Sequence, residues 1–363
     1  MARPLHLLGA MSVTTARLRA AARYAKLKVL HALKVSGTLR RVADSEWRRQ
    51  RLLILCYHGI SLDDEHEWKP QLYVSPERLR ARLDMLAQAG STVLPLGQAL
   101  EACERGDLPR RSVAITFDDG AHDFYERAFP LLQAYGFPGT VYLTTYYCQR
   151  RLPIYNLACS YLLWKARRRT VSLQSVVRVD ETFALDGPGG YYDAWIRMLR
   201  VAEREGYSAT EKHEAVERLA AELQVDLGPM MRRRMLHIMA PHEVQELAAH
   251  GLDVQLHTHR HRTPNERTGY LREIQENRAV IEQLTNRPAA HFCYPNGKYA
   301  PEFLPWLEEA HVASGVTCDP GLVTASTPRL ALPRFIDTMR TPDVMFEGWV
   351  SGAAAWFPQR TYA

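Results

Sequence analysis

Two adjacent carboxylates, Asp118 and Asp119, stand between Thr116-Phe117 and Gly120, just after the apolar run Val113-Ala114-Ile115. Far along the chain, His257 and His261 are spaced i, i+4, which a helical turn or tight loop would set side by side. One carboxylate and two imidazoles make an open three-ligand metal site, with a coordination position left for water. The other carboxylate is then free to take that water's proton, which is hydrolase chemistry. Taken singly the motifs are bland: an Asp-Asp-Gly is a solvated turn, and His-Thr-His-Arg-His with Arg262 behind it is an exposed basic loop. Each, however, follows a strand-like run, Val113–Ile115 or Leu252–Leu256, and α/β proteins gather their sites at the carboxyl ends of strands. The metal-site reading is therefore favoured, with His259 facing solvent or supporting the ligands.

The elements that must carry these residues alternate. Leu52–Tyr57 reads as a buried strand that delivers His58 to a loop. Ser75-Pro76-Glu77 opens a helix with a serine cap and a proline in its first turn, and Gly90 stops it. Strands at 92–94, 113–117, 137–144, 252–256, 290–293 and 312–317 are separated by helices near 96–103, 123–135, 241–251, 266–285 and 301–310. Such alternation argues for a parallel α/β sheet or barrel, and seven or eight strands fit a distorted (β/α) barrel. The pattern breaks over 146–239, which reads as a mainly helical insertion roofing the site or forming a small subdomain. Domain expectations are an N-terminal arm over 1–50, a barrel in two blocks (51–145 and 240–340), that insertion, and an uninformative tail over 341–363.

The three chemical segments resemble the polysaccharide deacetylases of carbohydrate esterase family four, the nodulation-type deacetylases. Thr116-Phe117-Asp118-Asp119-Gly120 matches that family's first motif in full, and His257-Thr258 with His261 matches its second. The resemblance covers about residues 50–145 and 240–340. It implies a (β/α) barrel, a divalent metal, Asp118 as general base, and Asp119, His257 and His261 as metal ligands. The expected reaction is hydrolysis of an N-acetyl group on an amino sugar, with zinc the natural metal for two imidazoles and a carboxylate. Tyr294, Pro295 and Asn296 form the candidate substrate-binding turn, with a backbone N–H near Tyr294 to hold the oxyanion.

Two positions depart from the family. Its late Leu-x-His is here Leu332-Pro333-Arg334, and its arginine two residues before the proline of the third motif is here Cys293. The expectation is a rearrangement in which Arg334 supplies the cation that pairs with Asp118. His58, in a Tyr-His-Gly setting like that of the poly-N-acetylglucosamine deacetylase branch, then becomes the general acid. His122 is a weaker candidate, read as a surface residue at a helix start. Rival readings are an O-acetyl esterase, a deformylase on a lipid-linked sugar, or a sugar-binding scaffold with altered chemistry.

Charge divides the 363 residues unevenly. Residues 1–53 hold twelve Lys and Arg against Asp44 and Glu46, a net +10, so the rest of a chain totalling +6 carries −4. The arm is too broken by Arg and Lys for a secretory signal or a membrane span. Helically spaced Leu18, Ala22, Tyr24, Leu27, Val29, Leu30, Leu33 and Val35 would let it lie on an anionic bilayer or pack on the domain. No nucleic-acid motif is present. Six cysteines without C-x-x-C pairing read as reduced thiols in a cytoplasmic protein, possible contact with the inner membrane surface being through the arm.

Overall fold

In the computed structural model, residues 13–359 are described, with side chains from residue 20. The first twelve residues of the arm, and the side chain of Leu18, lie outside that range. Eight parallel strands form the main sheet: β1 (Leu53–Tyr57), β2 (Thr92–Val93), β3 (Ser112–Phe117), β4 (Thr140–Leu143), β5 (Asp253–Leu256), β6 (His291–Cys293), β7 (Ser314–Val316) and β8 (Phe335–Ile336). Their order across the sheet is β7-β6-β5-β4-β3-β1-β8, with β2 beside the start of β3. One short segment draws the two edges together. Leu332 bridges Val316 of β7, while Phe335 and Ile336 pair with Leu55 and Cys56 of β1. The result is a distorted (β/α) barrel, the expected architecture.

Strand residues divide between two cores by parity. Leu53, Leu55, Tyr57, Val113, Ile115 and Phe117 pack against the surrounding helices. Leu52, Ile54 and Ala114 turn the other way, to meet Tyr142, Cys293 and Val316 in the lumen. With both faces covered, β1 and β3 are buried along their whole length, which is why they read as continuous apolar runs. Continuing the period of two past the strand ends puts Cys56 and Thr116, then His58 and Asp118, on the lumen side.

Helix signals translate closely: Pro76–Gln88 starts on Ser75, whose hydroxyl accepts from the Arg78 N–H. Between β4 and β5 the helices Tyr155–Lys165, Gly190–Arg204 and Ala209–Glu222, with an antiparallel pair Thr170–Ser172 and Thr182–Ala184, enclose a hydrophobic core of their own. Trp68 and Tyr73, from the loop after β1, pack into that core and tie it to the barrel.

At the arm, the helix Val13–Val35 packs on a second helix, Asp343–Ser351, in the tail that the sequence left unread. Leu30 is fully buried, so close to Gly348 that a Cβ there would stand 2.9 Å from its Cδ2. Lys34 pairs with Glu347 at 2.7 Å. The helically spaced apolar set is thereby split: Leu27, Leu30 and Leu33 face the domain, while Tyr24, Val29 and Val35 are exposed. Among the described residues no helix is long and apolar enough to cross a membrane. Arg48 then plugs the barrel below β3, fully buried and donating to the carbonyls of Ser112 (3.1 Å) and Val350 (3.2 Å).

Candidate active site

The two aspartates leave the end of β3 in opposite directions because the backbone turns between them. Asp119 and Gly120 both take positive φ, 71° and 74°. At Gly120 a Cβ would lie 2.3 Å from the Leu143 side chain and 3.2 Å from its Cα, so glycine is required by close approach as well as by φ. The turn aims Asp118 into the lumen and Asp119 toward the loop after β5.

That loop carries the imidazoles. Asp119 Oδ1 lies 3.1 Å from His257 Nε2 and 3.2 Å from His261 Nε2, and the two rings are 4.8 Å apart at their centroids. Positive φ at Thr258 (60°) and His261 (53°) folds the loop back to bring the rings together. A β-branched residue resists that conformation; here the Thr258 hydroxyl compensates by accepting from the Arg262 N–H at 3.1 Å.

His257 is fixed on three sides. Its Nδ1 faces the Cys293 carbonyl at 2.9 Å, and a carbonyl only accepts, so Nδ1 carries a proton and Nε2 is the nitrogen turned to Asp119. Its backbone N–H donates to Asn277 Oδ1 at 2.9 Å. Asn277, fully buried on the helix Arg267–Thr285, gives its own amide hydrogens to Leu143 O (2.9 Å) and Thr145 Oγ1 (3.0 Å), lacing β5 to β4. Nothing in the sequence pattern marked Asn277; a buried amide on an amphipathic helix is the only signal, visible once the helix face is known.

This donor set fits a divalent cation. With Nδ1 turned to the Cys293 carbonyl, His257 faces a carboxylate oxygen with Nε2 at 3.1 Å, a contact that a shared proton or a metal completes. The Asp119, His257 and His261 ligand atoms all lie within 4.8 Å of one another, one carboxylate from the first motif and two imidazoles from the second. Asp119 is pushed up by burial, but the two imidazoles outweigh this and hold its carboxyl well below the usual range.

Asp118 is 3% exposed and sits on Arg334, which is completely buried. The pair is bidentate, Nη1 to Oδ1 at 2.7 Å and Nη2 to Oδ2 at 2.8 Å. The other guanidinium hydrogens go to Thr317 O (3.0 Å), Thr116 Oγ1 (3.1 Å) and the Cys293 sulfur (3.3 Å), so all five donors are satisfied. Burial would raise the Asp118 carboxyl, yet the guanidinium dominates and keeps it below the ordinary carboxylate range. Cys293 thus stands where its sulfur touches both members of the pair, 3.4 Å from Asp118 Oδ2.

His58 is half-buried with Nε2 3.7 Å from Asp118 Oδ2. It lines a cleft of about 540 Å³ together with Asp118, Asp119, His257 and His261. Tyr294 and Asn296 line it too; Pro295 is buried behind them and does not, so that part of the expected contact turn is structural. Tyr294 uses its hydroxyl on Leu330 O (2.7 Å), and its own N–H faces Val316 O at 3.4 Å. His259 turns out of the site onto Thr145 Oγ1 at 2.8 Å. His122 is not at the surface as expected: it is buried, 3.0 Å from Glu243, and does not line the cleft. The insertion supplies much of the roof through Tyr155, Asn156, Trp195 and Lys212, residues that carry no motif.

A sequence model of polysaccharide deacetylases matches residues 105–314, more than half of the chain. The chain belongs to the polysaccharide deacetylase family, a class of hydrolases and carbohydrate esterases. Among characterised relatives, the poly-beta-1,6-N-acetyl-D-glucosamine N-deacetylase of Escherichia coli K12 is 32% identical over 98 residues, 27% of this chain and 14% of that protein. The chain therefore matches only a small part of that relative's length. Among solved structures, the Streptococcus pyogenes deacetylase PplD in complex with acetate superposes with a TM-score of 0.53 at 18% identity, over 80% of this chain and 94% of that one. IcaB from Ammonifex degensii gives 0.52 at 17% identity, over 84% and 97%. These two likenesses are of fold.

Proposed function

We propose that this protein is a metal-dependent hydrolase that removes N-acetyl groups from an amino sugar of a polysaccharide or glycan intermediate. The observation that carries the reading is the opposite pairing of neighbouring carboxylates, Asp119 with two imidazoles and Asp118 with a buried guanidinium. Asp119, His257 and His261 would hold the cation, which we take to be zinc. When bound there it supplies Lewis acidity toward the acetamide oxygen and the attacking water. Arg334 keeps the Asp118 carboxylate ionised and oriented, and a carboxylate oxygen of Asp118 accepts the proton of the attacking water. His58 reaches the same region from the end of β1 and gives a proton to the departing amine, since an amide nitrogen leaves poorly as an anion. Tyr294 and Asn296 form the cleft wall against which the sugar is positioned.

The test is acetate release from N-acetylated chito-oligosaccharides, with metal content measured on the same samples, for wild type, Asp118→Asn and His58→Ala. One equivalent of zinc in all three, with turnover lost in both variants, is the expected result. Retained turnover in His58→Ala would remove its role as acid. Zinc without acetate release by wild type would move the reaction to an ester or formyl substrate.

A further inference from the structure

The outer wall of the cleft holds more positive charge than the chemistry beneath it uses. Lys69, Lys212 and Arg262 line the same cavity as the two aspartates, and they come from three separate elements: the loop after β1, the helix Ala209–Glu222 and the histidine loop. Among the described residues none of the three is in an ion pair, although every other cation of the lining is matched: Arg260 bridges Glu273 at 3.0 Å and also contacts Glu276. Asp118 and Asp119 are engaged below, which leaves Glu203 as the remaining carboxylate of the lining. Three cations against one carboxylate give this wall a net +2.

Their surroundings sharpen the imbalance. The Lys69 ammonium lies 4.6 Å from the Trp68 ring centre and 5.0 Å from that of Trp195, half-buried among aromatic faces, and burial draws it down to about 8. Lys212 is lowered by burial and further by Arg262, with Glu203 acting the other way, so two cations of the wall stand near enough to repel each other. Like charges brought together in a partly desolvated wall raise the free energy of the empty cleft, and a bound oxyanion removes that cost. The cleft has a volume of about 540 Å³, room for a sugar ring beside these cations.

We infer that the substrate carries an oxyanion, a phosphate or a carboxylate, on the deacetylated sugar or its immediate neighbour, held by Lys69, Lys212 and Arg262. This rests on the reading of the cleft as an amino-sugar deacetylase site. The anion fixes which sugar enters and in which direction, while the aromatic face of Trp195 takes the apolar side of the ring.

Binding separates this inference from the chemistry, because it needs no turnover. Metal-stripped wild type is titrated calorimetrically with N-acetylglucosamine, N-acetylglucosamine 1-phosphate, diacetylchitobiose and a glucuronate–N-acetylglucosamine disaccharide. An anionic probe is expected to bind at least about tenfold more tightly than its neutral counterpart, an advantage that shrinks with added salt. In Lys212→Gln/Arg262→Gln the advantage falls to about one, and Lys69→Gln, from another element, reduces it independently. Preference for the phosphate identifies a glycosyl phosphate as the source, and preference for the disaccharide identifies a uronate-bearing glycan. Equal affinities, no binding of either anion, or a preference that survives in the double variant would overturn the inference. Acetate release by wild type reports separately on the deacetylase reading.

Discussion

Arg334 and Cys293 together explain how a departure from a family pattern still leaves Asp118 with a guanidinium partner. A single lumen position beside Asp118 has room for one guanidinium, and here it arrives from 334 while 293 shrinks to a thiol 3.3 Å away. Arg334→Met should therefore leave Asp118 buried without its partner, lowering stability by about 3–5 kcal/mol and turnover by orders of magnitude. Cys293→Arg alone should also destabilise, by forcing two guanidinium groups into one space. The double variant Cys293→Arg/Arg334→Met moves the guanidinium to the family's position, and its stability should exceed the sum of the single effects. Thermal unfolding of all three decides this; strict additivity would show that the two positions do not share a site. The sequence alone suggested the exchange, because both departures fell on residues with one job. It could not show that Thr116 and Thr317 complete the guanidinium's contacts, since threonines on strands carry no such mark.

At the scale of elements, the helix Arg267–Thr285 is the scaffold for the histidine loop. Asn277 holds the His257 backbone, and Glu273 takes the Arg260 N–H at 2.6 Å while its own carbonyl accepts from His259 N. Three buried hydrogen bonds converge on one amide, so Asn277→Leu takes the side-chain partner from the His257 N–H and the Leu143 carbonyl and leaves the Thr145 hydroxyl with its His259 contact alone. The expected effect is a roughly 10–100-fold loss of metal affinity, measured by competition with a chelating dye, since groups that orient ligands have that weight. Unchanged affinity would reduce Asn277 to a packing residue. Strands and helices of the barrel were readable from apolar periodicity and from caps such as Ser75-Pro76, and their ends moved by only a few residues. The tail helix Asp343–Ser351 was not, because its nine residues are few for a period to show and those buried, Phe346 and Gly348–Ser351, run consecutively rather than along one stripe.

On the scale of the molecule, the seam where the insertion rejoins the barrel is rich in titratable groups. His237, buried with Nδ1 2.8 Å from the Met235 carbonyl, is drawn down to about 4 by burial, from an ordinary 6.5. Between those values the unfolded chain binds a proton that the folded chain does not. Stability from this group is thus complete above pH 6.5 and falls as pH drops toward 4, by at most about 3 kcal/mol. Glu243 extends the trend: burial raises it, but His122, the Ala240 N–H at 2.7 Å and Arg234 bring it down to about 2, so its stabilisation is lost on going below its ordinary 4.5. Urea unfolding at a series of pH values should give a shallower slope between pH 6.5 and 4 for His237→Gln than for wild type; parallel curves would contradict the assignment. The roof itself was legible only as a break in alternation, because its residues meet the cleft through tertiary packing rather than through any local motif. The segment 332–336 has a different kind of consequence. It both joins the two edges of the sheet and brings Arg334 to Asp118, and it follows Asp118, Asp119, His257 and His261 in the sequence. During synthesis Asp118, Asp119, His257 and His261 therefore emerge before the guanidinium that pairs with Asp118, and a chain cut ahead of residue 332 would hold those side chains with Asp118 unpartnered and the sheet edges unjoined.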